Sequence, residues 1–389
     1  MKKLWTLLAI LLISVGVWRY SRPVPEATAL ISLPPAPTTT AIDLPWPAAG
    51  QSALGAKDYG LLSTHNPQQP APIGSIAKVI TALAVLQKKP ISGDQGETLV
   101  LTDNDVALFN KYYSQDGSVA QVAVGERITE YQALQAMMLP SANNMADTMA
   151  IWAFGSIGNY VTYANKMVRN LGLDQTSVGD ASGFADSTTS TSADLVKLGI
   201  AAISDPSIAS IVGQTSAVLP VAGTVNNVNW LLGQDGVFGI KTGNTEKAGG
   251  CYLFAAKRQI GGQQIQLVGA VLGAPELNQA ISSADSLLKA SDANFQPVTV
   301  IHKGQKLATY ITPWGSQAEV SARQDLSLLV WKGSAVRILN GPTDLQPPAS
   351  AGYRTGAITA NDGEKSASVP LFLKQDIKGP SWYWRLARR

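Results

Sequence analysis

The sequence predicts a mixed α/β (α+β) domain followed by a smaller all-β domain. Three observations carry that expectation. Capped stretches with apolar residues at helical spacing run from Ser75 to Ile203, and strand-like runs with a Gly261-Gly262 turn follow them. After about Phe295 the texture changes to short runs rich in Val, Ile, Thr and Leu, broken by Gly, Pro and Asn-Gly turns, with no helical period. A chain of 389 residues that is 45% hydrophobic has material for two cores.

At the start of the chain Lys2 and Lys3 precede an apolar run from Leu4 to Trp18. The run is shorter than the roughly 20 residues a membrane span needs and has the length of a signal h-region. Export is therefore expected, to an extracytoplasmic location, with residues 1–22 serving as a signal peptide or as an N-terminal anchor on the membrane surface. Ser14-Val15-Gly16 and Ala27-Thr28-Ala29 both offer small-x-small cleavage patterns, and the choice between removal and retention stays open. A helix buried in a domain core would need a polar face, and this run has almost none. Pro23 to Pro47 carries seven prolines among Thr and Ala, so residues 23–48 are expected to be an extended linker.

Residues 49–293 are expected to form the larger, mixed α/β domain. Val79, Ile80, Leu83 and Leu86 recur at helical spacing after Ser75, with Lys88 and Lys89 in the last turn and Pro90 as a stop. Thr129-Glu130-Tyr131-Gln132 is a capping box that opens a helix through Met138, which Pro140 ends. A further helix is expected from about Asn144 to Ala153, and Thr191-Ser192-Ala193-Asp194 caps another carrying Leu195, Leu198 and Ile203. Gly236 to Ile240, Cys251 to Ala256 and Ile265 to Leu272 read as strands, and Pro275 opens a closing helix through Leu288. Residues 294–389 then form the β-rich C-terminal domain.

Charge and composition exclude several kinds of chemistry. With 30 basic against 27 acidic residues there is no footprint for nucleic acid. Cys251 stands alone, so no intramolecular disulfide can form, and only His65 and His302 supply imidazoles, so no protein-built metal site and no cofactor is expected. His65 lies in the polar turn Ser63-Thr64-His65-Asn66-Pro67 and His302 near the far end, contexts unsuited to a Ser-His-Asp triad. A serine nucleophile in this chain would need another base.

Three short motifs supply one. Ser75-Ile76-Ala77-Lys78 reads as SxxK, Ser141-Ala142-Asn143 as SxN, and Lys241-Thr242-Gly243 as KTG. Each is weak alone, and SxxK is common by chance. Lys78 lies one turn after Ser75, and helix side chains lean toward the N-terminus, so its amine tilts back over the hydroxyl. A free lysine titrates near about 10.4, so Lys78 can act as base only if desolvation and a second cation push its pKa down. Lys241 is the candidate for that cation. Ser141 and Asn143 sit in a turn between helices, where Ser141 could pass a proton to a departing amine and Asn143 could hydrogen-bond a substrate amide. Lys241 and Thr242, at the end of a strand, suit a carboxylate, and Gly243 leaves room for a ligand along the strand edge.

With these motifs in this order, the chain resembles the serine-type D-Ala-D-Ala carboxypeptidases, the low-molecular-mass penicillin-binding proteins of peptidase family S11. The likeness runs from about Ala41 to Asp292. It includes Pro72-Ile73-Gly74-Ser75, Asp180-Ala181-Ser182-Gly183, Gly239-Ile240-Lys241-Thr242-Gly243-Asn244-Thr245 and Lys247-Ala248-Gly249. It implies a penicillin-binding, β-lactamase-like transpeptidase fold with an antiparallel sheet flanked by helices. It further implies that Ser75 is acylated by the penultimate D-alanine of peptidoglycan stem peptides, with Lys78 as base and release of terminal D-alanine. β-Lactam antibiotics would acylate the same serine as covalent inhibitors. The second oxyanion N–H would fall at Asn244, where the family commonly has histidine. Many members end in an amphipathic membrane helix. Here Trp382-Tyr383-Trp384-Arg385 and Arg388-Arg389 are too short for one and suit an interfacial patch or a last strand with packed aromatics.

Three other readings share these residues. A class A β-lactamase adds a deacylating glutamate between the second and third motifs, but no glutamate lies between Glu130 and Glu246, and Asp174 and Asp180 are weak substitutes. A D,D-endopeptidase would differ in the space around Lys241 and Thr242. A catalytically silent cell-wall-binding scaffold would have no need of the intact Ser, Lys, Ser, Asn, Lys set.

Overall fold

The computed structural model describes residues 2–41, 43–363 and 365–388. The chain divides into two compact units, residues 42–295 and a second built from residues 1–41 and 296–389.

The first unit is organised on a five-stranded antiparallel sheet. Its strand order is Val237–Thr245, Gly249–Ile260, Gln263–Ala274, Gln51–Ala56, Gly60–His65. Gly261 and Gly262, at φ +58° and +76°, make the hairpin expected between the two long strands. Residues of both parities are buried in those strands. Leu253, Ala255, Val268 and Ala270 belong to the main core, and Tyr252, Phe254, Leu267 and Val271 are buried from the other face. A sheet buried on both faces reads as a continuous apolar run, and the sequence Cys251 to Ala256 does so.

Helix Ser192–Ser204 covers the core face. A Cβ on its Gly199 would meet Val268, Leu253 and Ile240, so glycine sets how closely helix and sheet approach. Helix Leu277–Ser291 packs on the two long strands with Ala280, Ile281, Ala284, Leu287 and Leu288 buried. A helical cluster fills the rest of the unit. Helix Ala77–Lys88 is buried at every position from Ala77 to Leu86 and is packed by Asn143–Phe154, Ile157–Asn170 and Glu130–Met138. The last of these opens on the expected capping box, with Thr129 Oγ1 accepting from the Gln132 N–H and Gln132 Oε1 from the Thr129 N–H. Helices Asp103–Tyr113 and Ile157–Asn170 were not anticipated, although Thr102 and Asp105 form a capping box and Ser156 caps the second. The residue expected in a polar turn, His65, ends a strand with its ring stacked on Trp46 at 5.5 Å.

The second unit has a six-stranded sheet, ordered Thr28–Ile31, Lys306–Ile311, Gln317–Ala322, Ser366–Leu373, Arg354–Asn361, Arg337–Pro342, plus the pair Phe295–Ile301 and Leu326–Trp331. Its core holds Leu307, Tyr310, Val320, Ile358 and Leu371.

Three expectations need correcting here. The segment read as a linker contributes strand Thr28–Ile31, paired with Ala308 to Ile311, because Thr-Ala-Leu-Ile is a strand-forming run that the surrounding prolines obscure. The N-terminal helix spans Lys2–Ser21, longer than the apolar run, because Arg19 and Ser21 continue the last turn without breaking it. Trp382–Ala387 is a helix, capped by Ser381 Oγ accepting from the Trp384 N–H, and not a last strand.

Candidate active site

The chain turns sharply before the first motif. Gly74, at φ +52°, opens a 3-10 turn over Gly74–Ile76 that runs directly into helix Ala77–Lys88. The turn is pressed against the third motif. A Cβ at Gly243 would lie 2.7 Å from Ile73 O and 3.2 Å from Ser75 N, and one at Gly74 would lie 3.3 Å from Asn244 N. Two glycines thus let the backbone N–H groups of Ser75 and Asn244 come close together.

Lys78 is fully buried, as are its chain neighbours Ile76, Ala77 and Val79. Its Nζ lies 2.8 Å from Ser75 Oγ, 2.7 Å from Asn143 Oδ1 and 2.8 Å from Ser182 O. Burial pushes its pKa well below the ordinary value, and the nearby Lys241 charge pushes the same way, against a smaller opposing pull from Asp180 and Asp147. Lys241 is buried too, and desolvation brings it down to about 7. The cation expected to depress Lys78 is therefore itself depressed, because both amines share one dry environment. Lys241 Nζ donates to Thr242 O at 3.2 Å.

Asn143 is held at the first turn of its helix. Its N–H donates to Ser118 O at 2.7 Å, while Asn144 clamps Ala120 through Oδ1 to the N–H at 3.1 Å and Nδ2 to the carbonyl at 2.9 Å. Pro140 ends the preceding helix and Ser141 follows at φ +66°, a conformation that costs a serine about 1–3 kcal/mol. Ser141 is 6% exposed and its hydroxyl makes no hydrogen bond to another described residue.

A cavity of about 450 Å³ opens over Ser75, lined also by Gly117, Ser118, Asn143, Phe184 and Asn244. Hydrogen bonds join Ser75, Lys78 and Asn143, and backbone approach adds Gly243 and Asn244. Ser141, Lys241 and Thr242 are buried residues that do not line the cavity themselves.

Two contributors lie in the segment Asp180-Ala181-Ser182-Gly183, which the resemblance marked without giving either a role. The Ser182 carbonyl that meets Lys78 is a backbone group. It is held by Gly183, at φ +73°, where a Cβ would fall 1.8 Å from Gly74 O. Asp180 organises that turn, with Oδ2 accepting from Ser182 Oγ at 2.9 Å, Phe184 N at 3.0 Å and Ala185 N at 3.3 Å, and Oδ1 from Thr188 Oγ1. Asp147 accepts from Tyr112 Oη at 2.8 Å, and burial raises its pKa. Among the described residues no group of His, Cys, Asp and Glu side chains is arranged to hold a metal.

Residues 56–276 match the D-alanyl-D-alanine carboxypeptidase family. The chain belongs to this family. It is 26% identical over 324 residues to the D-alanyl-D-alanine carboxypeptidase DacA of Escherichia coli, an alignment covering 80% of this chain and 79% of that one. To DacF of Bacillus subtilis it is 23% identical over 346 residues, covering 85% and 86%. Penicillin binding protein 5 from Haemophilus influenzae superposes with a TM-score of 0.60 at 21% identity, over 90% of this chain and 100% of that one. The Streptomyces K15 DD-transpeptidase superposes with a TM-score of 0.57 at 24% identity, over 64% and 98%. Both superpositions place the carboxypeptidase-family chain in the penicillin-binding DD-peptidase fold, as the motifs led one to expect.

Proposed function

We propose that this carboxypeptidase removes the terminal D-alanine from peptidoglycan stem pentapeptides through an acyl-enzyme on Ser75. The observation that carries the reading is the set of three oxygen atoms around Lys78 Nζ. A neutral amine has two N–H bonds and one lone pair. The carbonyl oxygens of Asn143 and Ser182 can only accept, so they take both N–H groups and leave the lone pair for the Ser75 hydroxyl.

In the first step Ser75 Oγ bonds to the carbonyl carbon of the penultimate D-alanine while Lys78 takes the hydroxyl proton. The N–H groups of Ser75 and Asn244 stabilise the oxyanion, an effect worth about 3–4 kcal/mol per donor in known cases. The C–N bond then breaks, and the proton passes through Ser141 to the departing D-alanine amine. Water, deprotonated by Lys78, releases the shortened peptide. Lys241 and Thr242 bind the terminal carboxylate, Asn143 holds the peptide amide, and Gly243 leaves space for the substrate to lie as an added strand. β-Lactams acylate the same oxygen. The enzyme works outside the cytoplasmic membrane, attached to its surface through the N-terminal segment.

Labelling with a fluorescent penicillin, lost in Ser75→Ala, tests the nucleophile; an unlabelled wild type would favour the silent scaffold. Incubation with a pentapeptide stem and with crosslinked dimers separates the activities. Free D-alanine supports the carboxypeptidase, and monomer release without it would show an endopeptidase.

A further inference from the structure

The helix Lys2–Ser21 presents bare apolar side chains along its length, with Leu4 72%, Trp5 70% and Ile13 65% exposed. The apolar run Leu4–Trp18 is bounded by Lys3 and Arg19, whose long side chains can reach the headgroups, and the helix with these ends is long and apolar enough to cross a bilayer. Its far end is built differently. The C-terminal helix Trp382–Ala387 lies against it, and the arginines of that segment take up the carbonyls that a helix end leaves without partners. Arg388 donates to Arg19 O at 3.1 Å, Arg22 O at 2.6 Å and Pro23 O at 2.9 Å, Arg385 donates to Tyr20 O at 3.3 Å, and Arg19 returns a bond to Leu386 O at 3.1 Å.

Two of these cations and a further one lie over aromatic rings, Arg385 over Tyr20, Arg388 over Trp384 and Arg22 over Trp18. Trp384 packs edge-on against Trp314, which ties the collar to the sheet of that unit. Four guanidinium groups and a ring of Trp and Tyr at the end of an apolar span match the composition of a lipid headgroup layer; Glu26 is the nearby acidic residue in sequence. The following residues are built in as well. Ala27 is fully buried and exchanges both backbone hydrogen bonds with Leu345, and Thr28–Ile31 is the edge strand of the sheet. Removal at Ala29 would cut that strand, and removal at Gly16 would leave a single turn where the capped helix stands.

We propose that the N-terminal helix is retained as a membrane span and that the C-terminal helix closes on its end to form a collar for anionic phospholipid headgroups. This extends the export reading and is independent of the peptidase chemistry.

Two measurements on the full chain test it. The first is the mass of the protein recovered from washed membranes of producing cells. Retention of residues 2–22 is expected. An N-terminus after Gly16 or Ala29 overturns the proposal while leaving export intact, whereas an intact chain found only in the cytosol overturns both.

The second uses Tyr383→Cys, a position 68% exposed, in a chain whose native Cys251 is buried and so silent to maleimide. In vesicles of phosphatidylcholine with phosphatidylglycerol, labelling is expected to be at least about fivefold slower than in phosphatidylcholine alone, the effect of one headgroup-bound cation. Equal rates overturn the collar. Arg22→Gln, which removes a cation that caps no carbonyl, should narrow the difference between the two vesicles. An undiminished difference would overturn the role of charge.

Discussion

Lys78 Nζ and Asn143 Oδ1 meet at 2.7 Å although the residues are 65 apart in sequence. On the proposed mechanism the contact gives the second motif a task in the resting enzyme, that of directing the lone pair of the amine. Asn143→Ala is expected to slow penicillin acylation about 10²-fold, the cost of a misplaced catalytic group. Its oxygen also stabilises the ammonium form, so the variant's acidic limb should move to lower pH. The second-order acylation rate measured against pH checks both. A slower rate with an unmoved limb would assign Asn143 to substrate binding alone.

Lys78→Arg tests the base directly. Guanidinium does not deprotonate in proteins, so acylation should fall by at least about 10³-fold. In the wild type, activity should be lost as pH falls through the depressed pKa of Lys78. The residual activity of the variant should lack that limb. Retention of the wild-type profile would move the base elsewhere.

Much of this arrangement was legible because its parts are local. Ser75 and Lys78 are one helical turn apart, and the capping boxes and the Gly261-Gly262 hairpin are set by neighbours in sequence. What was illegible depends on distant backbone. No side-chain pattern announces that the Ser182 carbonyl faces Lys78, since Gly183 meets Gly74 only after the sheet and helices have packed. The strand Thr28–Ile31 was obscured by the prolines around it, and its partner at Ala308 to Ile311 is distant in sequence as well. The depressed Lys241 was missed because burial of a motif lysine is a property of the packed strand.

That buried lysine has a thermodynamic signature. Lys241 titrates at about 7 in the folded chain, below its value when unfolded, so the unfolded state binds more protons between the two. Stability should therefore rise with pH from about 7 toward about 10.4 and be lost on the way down. Lys241→Met removes this group's share of the slope, leaving that of Lys78, and replaces a buried ammonium with an apolar chain of similar length, which should stabilise by about 1–4 kcal/mol at neutral pH. Thermal melts at several pH values check this, alongside a rise in KM for the pentapeptide. A variant less stable than wild type at neutral pH would show that the charge is better solvated than its burial implies.

Gly183→Ala should be severe. The added Cβ would lie 1.8 Å from Gly74 O, a backbone atom with little freedom to retreat, and the position is at φ +73°. A loss of about 2–4 kcal/mol is expected, with acylation falling further because the Ser182 carbonyl and the Ser75 turn move together. Denaturant melts and penicillin labelling measure the two effects. Unchanged labelling would show that the turn tolerates the displacement.

The acyl-enzyme formed with benzylpenicillin should be long-lived. Unlike D-alanine, the amine of the opened lactam stays tethered beside the ester and obstructs water from Lys78, so rapid release would need a carboxylate as a second base, and Asp180 is occupied by donors from Ser182, Phe184, Ala185 and Thr188. The carboxylates that line the cavity, Asp116, Asp186 and Glu246, are exposed, and the groups held against Lys78 Nζ are Ser75, Asn143 and Ser182 instead. Single-turnover mass spectrometry should find Ser75 still acylated after the pentapeptide has turned over many times. Rapid steady-state hydrolysis of benzylpenicillin would require one of the three rim carboxylates to swing inward, and its replacement by the corresponding amide would then identify it.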